Sequence, residues 1–110
     1  MRKMYQVIKR DGKITDFDLN KVSVAITKAF EAQNKQYVPA IIDMLTLRVT
    51  ADFENKIENN LVHVEDIQDS VEHVLEQSGY TDVAKAYILY RKQREKIRNM
   101  KSTILDYKEV

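Results

Sequence analysis

The fold is decided by residues 5–17, whose sequence is Tyr5-Gln6-Val7-Ile8-Lys9-Arg10-Asp11-Gly12-Lys13-Ile14-Thr15-Asp16-Phe17. Apolar residues flank the short polar segment Lys9-Arg10-Asp11-Gly12, and Gly12 can adopt the positive φ that tight turns usually require. The stretch therefore predicts a β-hairpin with strands from Met4 to Lys9 and from Lys13 to Phe17. Two cations, Lys9 and Arg10, lie at its bend.

Amphipathic helices are predicted downstream of this hairpin. Apolar residues recur every three to four positions, Asp18 is a good N-cap, Pro39 suits a first helical turn, and Gly79 suits a C-cap. The expected helices cover residues 19–32, 39–59, 65–77 and 81–101, and a third short strand is expected at residues 61–64. This pattern favours an α+β fold.

Length and composition indicate one globular domain. The chain has 110 residues, 44% hydrophobic and 32% charged, which is typical of a folded domain with a modest core. It has no cysteine, which excludes disulfides and thiolate metal sites and fits a reducing compartment. No apolar run approaches the length of a membrane span and no signal peptide opens the chain, so we expect a cytoplasmic protein with no membrane partner.

Cations concentrate at both ends of the chain, although the formal net charge is only +1. Residues 1–13 contain five bases and one acid, and residues 85–101 contain seven bases with Glu95 as the one acid. Residues 14–84 contain thirteen acids and five bases. If the two ends pack together, their cations converge, and the hairpin and the last helix could hold an anion. An unevenly charged but solvated surface would give the same counts.

The sequence contains no pattern typical of an active site. His63 and His73 lie on different predicted elements, the chain has only two glycines, and no serine has a nucleophile-elbow context. We therefore expect a binding domain that is not itself an enzyme.

Three kinds of partner remain open at this point. A nucleoside triphosphate needs converging cations beside an apolar surface, for which the candidates are Lys9, Arg10, Lys21, Arg91 and Arg94 with Val7. Nucleic acid would need a basic face with aromatic residues, such as the last helix with Tyr87 and Tyr90, but the many central acids count against it. A protein-interaction module is the third alternative.

Four segments carry a resemblance to a known family. They are Val7-Ile8-Lys9-Arg10-Asp11-Gly12, Phe17-Asp18 with Lys21-Val22, Val64-Glu65-Asp66-Ile67-Gln68, and Ala84-Lys85-Ala86-Tyr87-Ile88-Leu89-Tyr90-Arg91. In this order the segments, which span residues 4 to about 94, resemble the ATP-cone domain. That domain is the allosteric ATP- and dATP-binding module of ribonucleotide reductases. The resemblance implies a sheet of about three strands packed with four helices, with the nucleotide between them.

The resemblance also implies which residues bind. Lys9, Arg10 and Lys21 should contact phosphates, and Val7 and the strand residues Ile14 and Thr15 should border the base. The full implied nucleotide-binding set is Val7, Lys9, Arg10, Asp11, Gly12, Ile14, Lys21, Val64, Gln68, Tyr87, Arg91 and Arg94. Asp11 and Gly12 also have a purely structural explanation as turn residues, and Tyr87 has one as a core residue. The implied ligand is ATP or dATP with magnesium, and no catalytic cofactor is expected in this chain.

The parent protein is the last expectation. The family includes a transcriptional repressor in which a zinc ribbon precedes the cone, whereas this chain begins at the cone and has no cysteine. The tail Ile104-Leu105-Asp106-Tyr107 resembles the connection into the catalytic barrel of anaerobic, class III ribonucleoside-triphosphate reductase. We therefore expect a nucleotide-binding domain at residues 1–101 and a linker or truncated catalytic domain at 102–110. The expected partners are that catalytic domain and further copies of the chain, not nucleic acid.

Overall fold

The structure is a computed structural model that describes the backbone of residues 5–108 and the side chains of residues 5–98 and 100. A three-stranded sheet packs against four helices, which confirms the α+β architecture. The elements in chain order are β1 (Gln6–Ile8), β2 (Ile14–Asp16), α1 (Leu19–Ala32), α2 (Pro39–Phe53), a 3₁₀ turn (Glu54–Lys56), β3 (Leu61–His63), α3 (Val64–Gln77) and α4 (Thr81–Lys108). Among the described helices, none has the length and apolar character needed to cross a membrane.

The N-terminal hairpin forms as expected around Gly12. The Lys9 N–H donates to the Lys13 carbonyl at 2.8 Å, and the Gly12 N–H donates to the Lys9 carbonyl at 2.9 Å. Gly12 has φ 86°, so the bend is a short loop that ends in a left-handed residue. Met4, the expected start of the first strand, lies outside the described residues.

The sheet has the order β2-β1-β3. β1 pairs antiparallel with β2, and it pairs in parallel with β3 in a register that sets Gln6 opposite Leu61 and Ile8 opposite His63. A parallel neighbour requires a long crossover, which α1 and α2 supply. The central strand β1 therefore lies between a partner close in sequence and one more than fifty residues away.

The expected end of the second helix, near Asn59, is wrong. α2 ends at Phe53, and Asn59 and Asn60 have φ 53° and 62°. They form a tight turn in which the N–H groups of Glu58 and Leu61 each donate to the other residue's carbonyl at 2.9 Å. The chain must turn here to bring β3 beside β1, and a helix that continued to Asn59 could not make that turn.

Local signals at most of the other helix ends agree with the structure. The Asp18 carboxylate accepts a hydrogen bond from the Asn20 N–H at 3.0 Å and caps α1. Gly79, with φ 88°, follows the end of α3, and the Tyr80 N–H donates to the Leu75 carbonyl at 2.9 Å, which is a Schellman C-cap. The fourth helix begins at Thr81 as expected but continues to Lys108, past the expected end near Lys101.

The core lies between the sheet and the helices. Val7 is the buried residue of β1 and Val62 that of β3. Large fully buried helical side chains are Ile26, Phe30, Leu45, Val49, Phe53 and Leu75. An aromatic cluster joins the hairpin to α2, because the ring of Phe17 lies 4.8 Å from that of Tyr5 and 5.6 Å from that of Phe53. This packing fixes the hairpin, and with it the cations at its bend.

Candidate functional site

A cleft of about 440 Å³ lies between the hairpin, α1, α3 and α4. That volume falls in the range of small-molecule sites, roughly 300–1,000 Å³. Part of its wall is apolar and is formed by the buried residues Val7, Val22, Ile67, Val71 and Tyr87. The remaining lining residues include further apolar side chains and a group of polar and cationic ones.

Most of the residues predicted to bind nucleotide meet at this cleft. Those that line it are Val7, Lys9, Arg10, Lys21, Val64, Gln68, Tyr87, Arg91 and Arg94. They come from elements and loops that are distant in sequence and that lie next to one another in the fold. Their contact with a nucleotide stays a prediction.

Asp11, Gly12 and Ile14 are not among the lining residues. Asp11 Oδ1 accepts a hydrogen bond from the Lys13 N–H at 3.0 Å, and Gly12 supplies the left-handed φ of the turn. Both residues therefore shape the hairpin. Ile14 is 54% exposed, whereas its neighbour Thr15 lines the cleft.

Several residues that line the cleft were not predicted from the sequence. They include Asp16, Phe17, Asp18, Asn20 and Arg98, and the apolar residues Val22, Val24, Ala25, Ile67 and Val71. Tyr90 also lines the cleft, and the sequence indicates it only for nucleic-acid stacking. Helical periodicity gives a signal for Arg98, because it follows Arg94 by four residues and Arg91 by seven and so belongs to the same face of α4. Asn20 and Asp18 lie at the N-terminus of α1, where capping alone explains Asp18.

Six cations and two carboxylates are found among the lining residues: Lys9, Arg10, Lys21, Arg91, Arg94 and Arg98 against Asp16 and Asp18. Both carboxylates already accept hydrogen bonds, Asp16 from the Gln6 amide at 3.2 Å and Asp18 from the backbone of α1. Lys21 lies in the first turn of α1, which contains no acid. The cleft is therefore suited to an anion, which a helix N-terminus also favours.

Arg10 is held by groups from α3 and α4. Its Nη2 donates to Gln68 Oε1 at 3.2 Å, its Nε lies 3.5 Å from Glu65 Oε2, and its Nη1 lies 3.4 Å from Glu95 Oε1. Its side chain is 26% exposed. The hairpin bend is thus joined through one guanidinium to α3 and to α4.

Arg91 is also paired, with two carboxylates of α3. Its Nη1 lies 3.0 Å from Asp69 Oδ1 and 3.2 Å from Glu72 Oε2, and its side chain is 17% exposed. Burial acts to lower the pKa of Arg91, but the hydrogen bond to Asp69 and the charge of Glu72 outweigh it and raise the pKa overall. Arg91 therefore fastens α4 to α3 at the edge of the cleft.

The other four cations that line the cleft differ from Arg10 and Arg91 in their ion pairs. Within the described part of the chain, Lys9, Lys21, Arg94 and Arg98 form no ion pair with a carboxylate. Arg94 lies over the Tyr90 ring, 5.8 Å from its centroid, a distance at which cation–π attraction operates. These four side chains have charge available for a ligand.

Tyr87 forms part of the floor of the cleft. It is 5% exposed, and burial raises the pKa of its phenol even though the nearby Arg91 acts to lower it. The phenol is therefore neutral and acts as an apolar surface with a hydroxyl group. Together with the valines, it offers a base or sugar an uncharged wall.

Comparison with known proteins identifies relatives over almost the whole chain. Residues 5–96 match the family model described as the ATP cone domain. Over 98 residues the chain is 42% identical to the ribonucleoside-diphosphate reductase subunit alpha of Chlamydia pneumoniae, covering 84% of this chain and 9% of that protein. It is 41% identical over 102 residues to the vitamin B12-dependent ribonucleoside-diphosphate reductase of Thermoplasma acidophilum, covering 87% and 13%.

A third relative is the anaerobic ribonucleoside-triphosphate reductase of Haemophilus influenzae, 33% identical over 103 residues. The alignment covers 91% of this chain and 14% of that protein. The chain thus spans only a small part, between 9% and 14%, of the length of these three relatives.

Proposed function

The chain belongs to the ATP-cone family, whose domains bind ATP and dATP as effectors, and we propose that it binds these nucleotides in the cleft between hairpin, α1, α3 and α4. The observation that carries this proposal is the convergence of six cations on one cleft that also has an apolar wall. A triphosphate needs the cations, and a base needs the wall.

In this proposal the cations that lack a carboxylate partner among the described residues bind the phosphates. Lys9 approaches from the hairpin bend, Lys21 from the first turn of α1, and Arg94 from α4, and Arg10 joins them once it leaves its carboxylate partners. Arg91 acts differently, as a positioning residue, because Asp69 and Glu72 already occupy its guanidinium. Val7 and Tyr87 border the base or sugar, and Val64 and Gln68 line the site from α3.

Magnesium would be held chiefly by the nucleotide. The described residues contain no group of three or more histidines, aspartates or glutamates suited to a metal, and Asp16 and Asp18 are already hydrogen-bonded. Mg²⁺ commonly binds through substrate phosphates, water and one or two carboxylates. The metal would lower the repulsion among the phosphates and leave the protein's cations to orient them.

We assign the domain a regulatory role in a ribonucleotide reductase. ATP would favour one arrangement of the parent enzyme and dATP another, and this requires each nucleotide to bind the two arrangements with different affinity. The partners are then the catalytic domain that follows α4 and further copies of the chain. The relatives support a reductase as the parent, since three differently named reductases match.

The narrower proposal is an anaerobic ribonucleoside-triphosphate reductase. It rests on the resemblance of residues 104–107 and on one relative, and the side chains of those residues lie outside the described part. A reductase assay on the parent polypeptide tests it. Reduction of triphosphates only in the absence of oxygen would support the proposal, and reduction of diphosphates with a B12 cofactor would refute it.

Titration calorimetry of the 110-residue chain with ATP and with dATP, in buffer containing magnesium, tests nucleotide binding. We expect both to bind with micromolar or lower Kd and to raise the melting temperature by ligand linkage. Lys9→Ala should weaken binding by about 1–3 kcal/mol, the cost of removing one partner of a charge-assisted hydrogen bond, or about 5- to 150-fold.

Lys13→Ala is the matched control, because Lys13 belongs to the same hairpin but does not line the cleft. It should leave the affinity nearly unchanged. Absence of both heat and thermal shift with either nucleotide would refute the proposal. A tight oligonucleotide complex that resists salt would refute it as well, since binding that depends on charge alone falls steeply with salt.

A further inference from the structure

Glu95 occupies an unusual position in the sequence and in the structure. It is the one acid among residues 85–101, which contain seven bases. Lys92 and Arg91 precede it by three and four residues, where helical ion pairs form. In the structure, however, its Oε1 lies 3.4 Å from Nη1 of Arg10, at the hairpin bend.

Arg10 has further anionic and polar neighbours on α3. Glu65 Oε2 lies 3.5 Å from its Nε, and Gln68 Oε1 accepts a hydrogen bond from its Nη2 at 3.2 Å. Three protein groups therefore already contact its guanidinium. By contrast, Lys9, Lys21 and Arg94, which line the same cleft, form no ion pair among the described residues.

A guanidinium binds carboxylates and phosphates through the same donors and with similar geometry. A phosphate that binds Arg10 must displace the carboxylates of Glu65 and Glu95 or lie beside them. If it lies beside them, the negative charges of the phosphate and the carboxylates repel each other. The carboxylate of Glu95 thus has the chemistry of the ligand that the cleft is suited to bind.

On the basis of the proposed function, we propose that Glu95, with Glu65, is an internal competitor of the nucleotide's phosphates for Arg10. In the absence of nucleotide, Arg10 ties the hairpin bend to α4 through Glu95. Nucleotide binding transfers Arg10 to a phosphate and breaks that tie. Glu95 therefore lowers the affinity of the site for phosphates. It also makes one contact between the hairpin and α4 depend on whether nucleotide is bound, as an effector domain requires.

The test is calorimetric titration of the 110-residue chain and its variants with ATP and with inorganic tripolyphosphate. Glu95→Gln keeps the shape of the side chain and removes its charge, and we expect it to bind both ligands about two- to five-fold more tightly, the worth of a partly exposed ion pair. Glu65→Gln should act in the same direction. Glu76→Gln makes the same charge change at an exposed position of α3 that is not paired with Arg10 and should have little effect.

A double mutant shows whether Glu95 acts through Arg10. In an Arg10→Ala background, Glu95→Gln should no longer increase the affinity beyond the general charge effect seen with Glu76→Gln. The inference is overturned if Glu95→Gln binds no more tightly than the original chain, or if the gain persists without Arg10. It is also overturned if Glu76→Gln gives the same gain.

Two ligands separate this inference from the proposed function. If tripolyphosphate binds and responds to Glu95→Gln while ATP does not bind, the competition is correct and the nucleotide function is wrong. If both ligands bind and neither responds, the function stands and the competition is wrong. Failure of both ligands to bind the original chain refutes both.

Discussion

Replacing Arg91 by Gln tests whether this residue holds the fold together or binds the ligand. Its guanidinium lies 3.0 Å from Asp69 and 3.2 Å from Glu72, and its side chain is 17% exposed. Exposed ion pairs contribute about 0.2–1 kcal/mol each, and hydrogen bonds to charged groups about 1.5–3 kcal/mol. With partial burial, we expect Arg91→Gln to lower the free energy of unfolding by about 1–2 kcal/mol.

The loss should be measured by urea denaturation at low salt, because urea does not screen ion pairs as guanidinium chloride does. In a domain of this size it corresponds to a fall in Tm of roughly 5–10 °C. Lys92→Gln is the matched control, since Lys92 is the exposed neighbour of Arg91 on α4 and carries the same charge.

An Arg91→Gln variant as stable as Lys92→Gln would refute this reasoning. So would an Arg91→Gln variant that loses as much ATP affinity as Lys9→Ala does while its stability is unchanged. In that case Arg91 would be a phosphate ligand, as the sequence predicted, and its pairs with α3 would have no energetic importance.

Two further predictions concern stability. His73 Nδ1 lies 2.9 Å from Asp52 Oδ1. Burial acts to raise the pKa of Asp52, but the nearby Ser70 hydroxyl, His73 and Lys56 lower it overall. The contribution of Asp52 to the free energy of unfolding is therefore complete above about pH 4 and is lost as the pH falls through the lowered pKa. Urea denaturation between pH 2.5 and 6 should therefore show a steeper acid loss of stability for the original chain than for Asp52→Asn, and equal slopes would contradict this. Gly79 has φ 88°, and apart from its own residue and its chain neighbours no atom lies within 4 Å of the position that a Cβ would take there, so Gly79→Ala should cost about 1–2 kcal/mol from the backbone alone. Thermal denaturation against Gln77→Ala measures this cost, and no difference between the two variants would show that the left-handed cap is unimportant.

Local chemistry made much of the fold predictable. Gly12, Asp18, Pro39 and Gly79 each mark a turn or a helix end by a property of a single residue, and each lies where expected. The end of α2 was not predictable in this way, because Ile57 continues the apolar repeat of the helix although the chain has already left it. Tertiary pairing of β3 with β1 decides that boundary.

The meeting of the hairpin and the last helix was predictable from the sequence, but the ion pairs of the cleft were not. Hairpin and last helix do meet at one cleft, as the concentration of charge at both ends suggested. Which cations are already neutralised depends on where α3 places Asp69 and Glu72, and where α4 places Glu95. Those distances arise from packing between elements, which sequence spacing within one element does not describe.

The parallel pairing of β1 with β3 has a consequence for folding kinetics. No short segment of the chain forms the cleft on its own, since Lys9 and Arg94 reach it from opposite ends of the domain. Bringing such distant segments together costs loop-closure entropy, and the contacts that compensate for this cost form only late in folding. A ligand that contacts both ends would therefore slow unfolding and leave the folding rate nearly unchanged. Bound nucleotide would then lengthen the lifetime of the folded domain and protect it from proteolysis, apart from any effect on the parent enzyme.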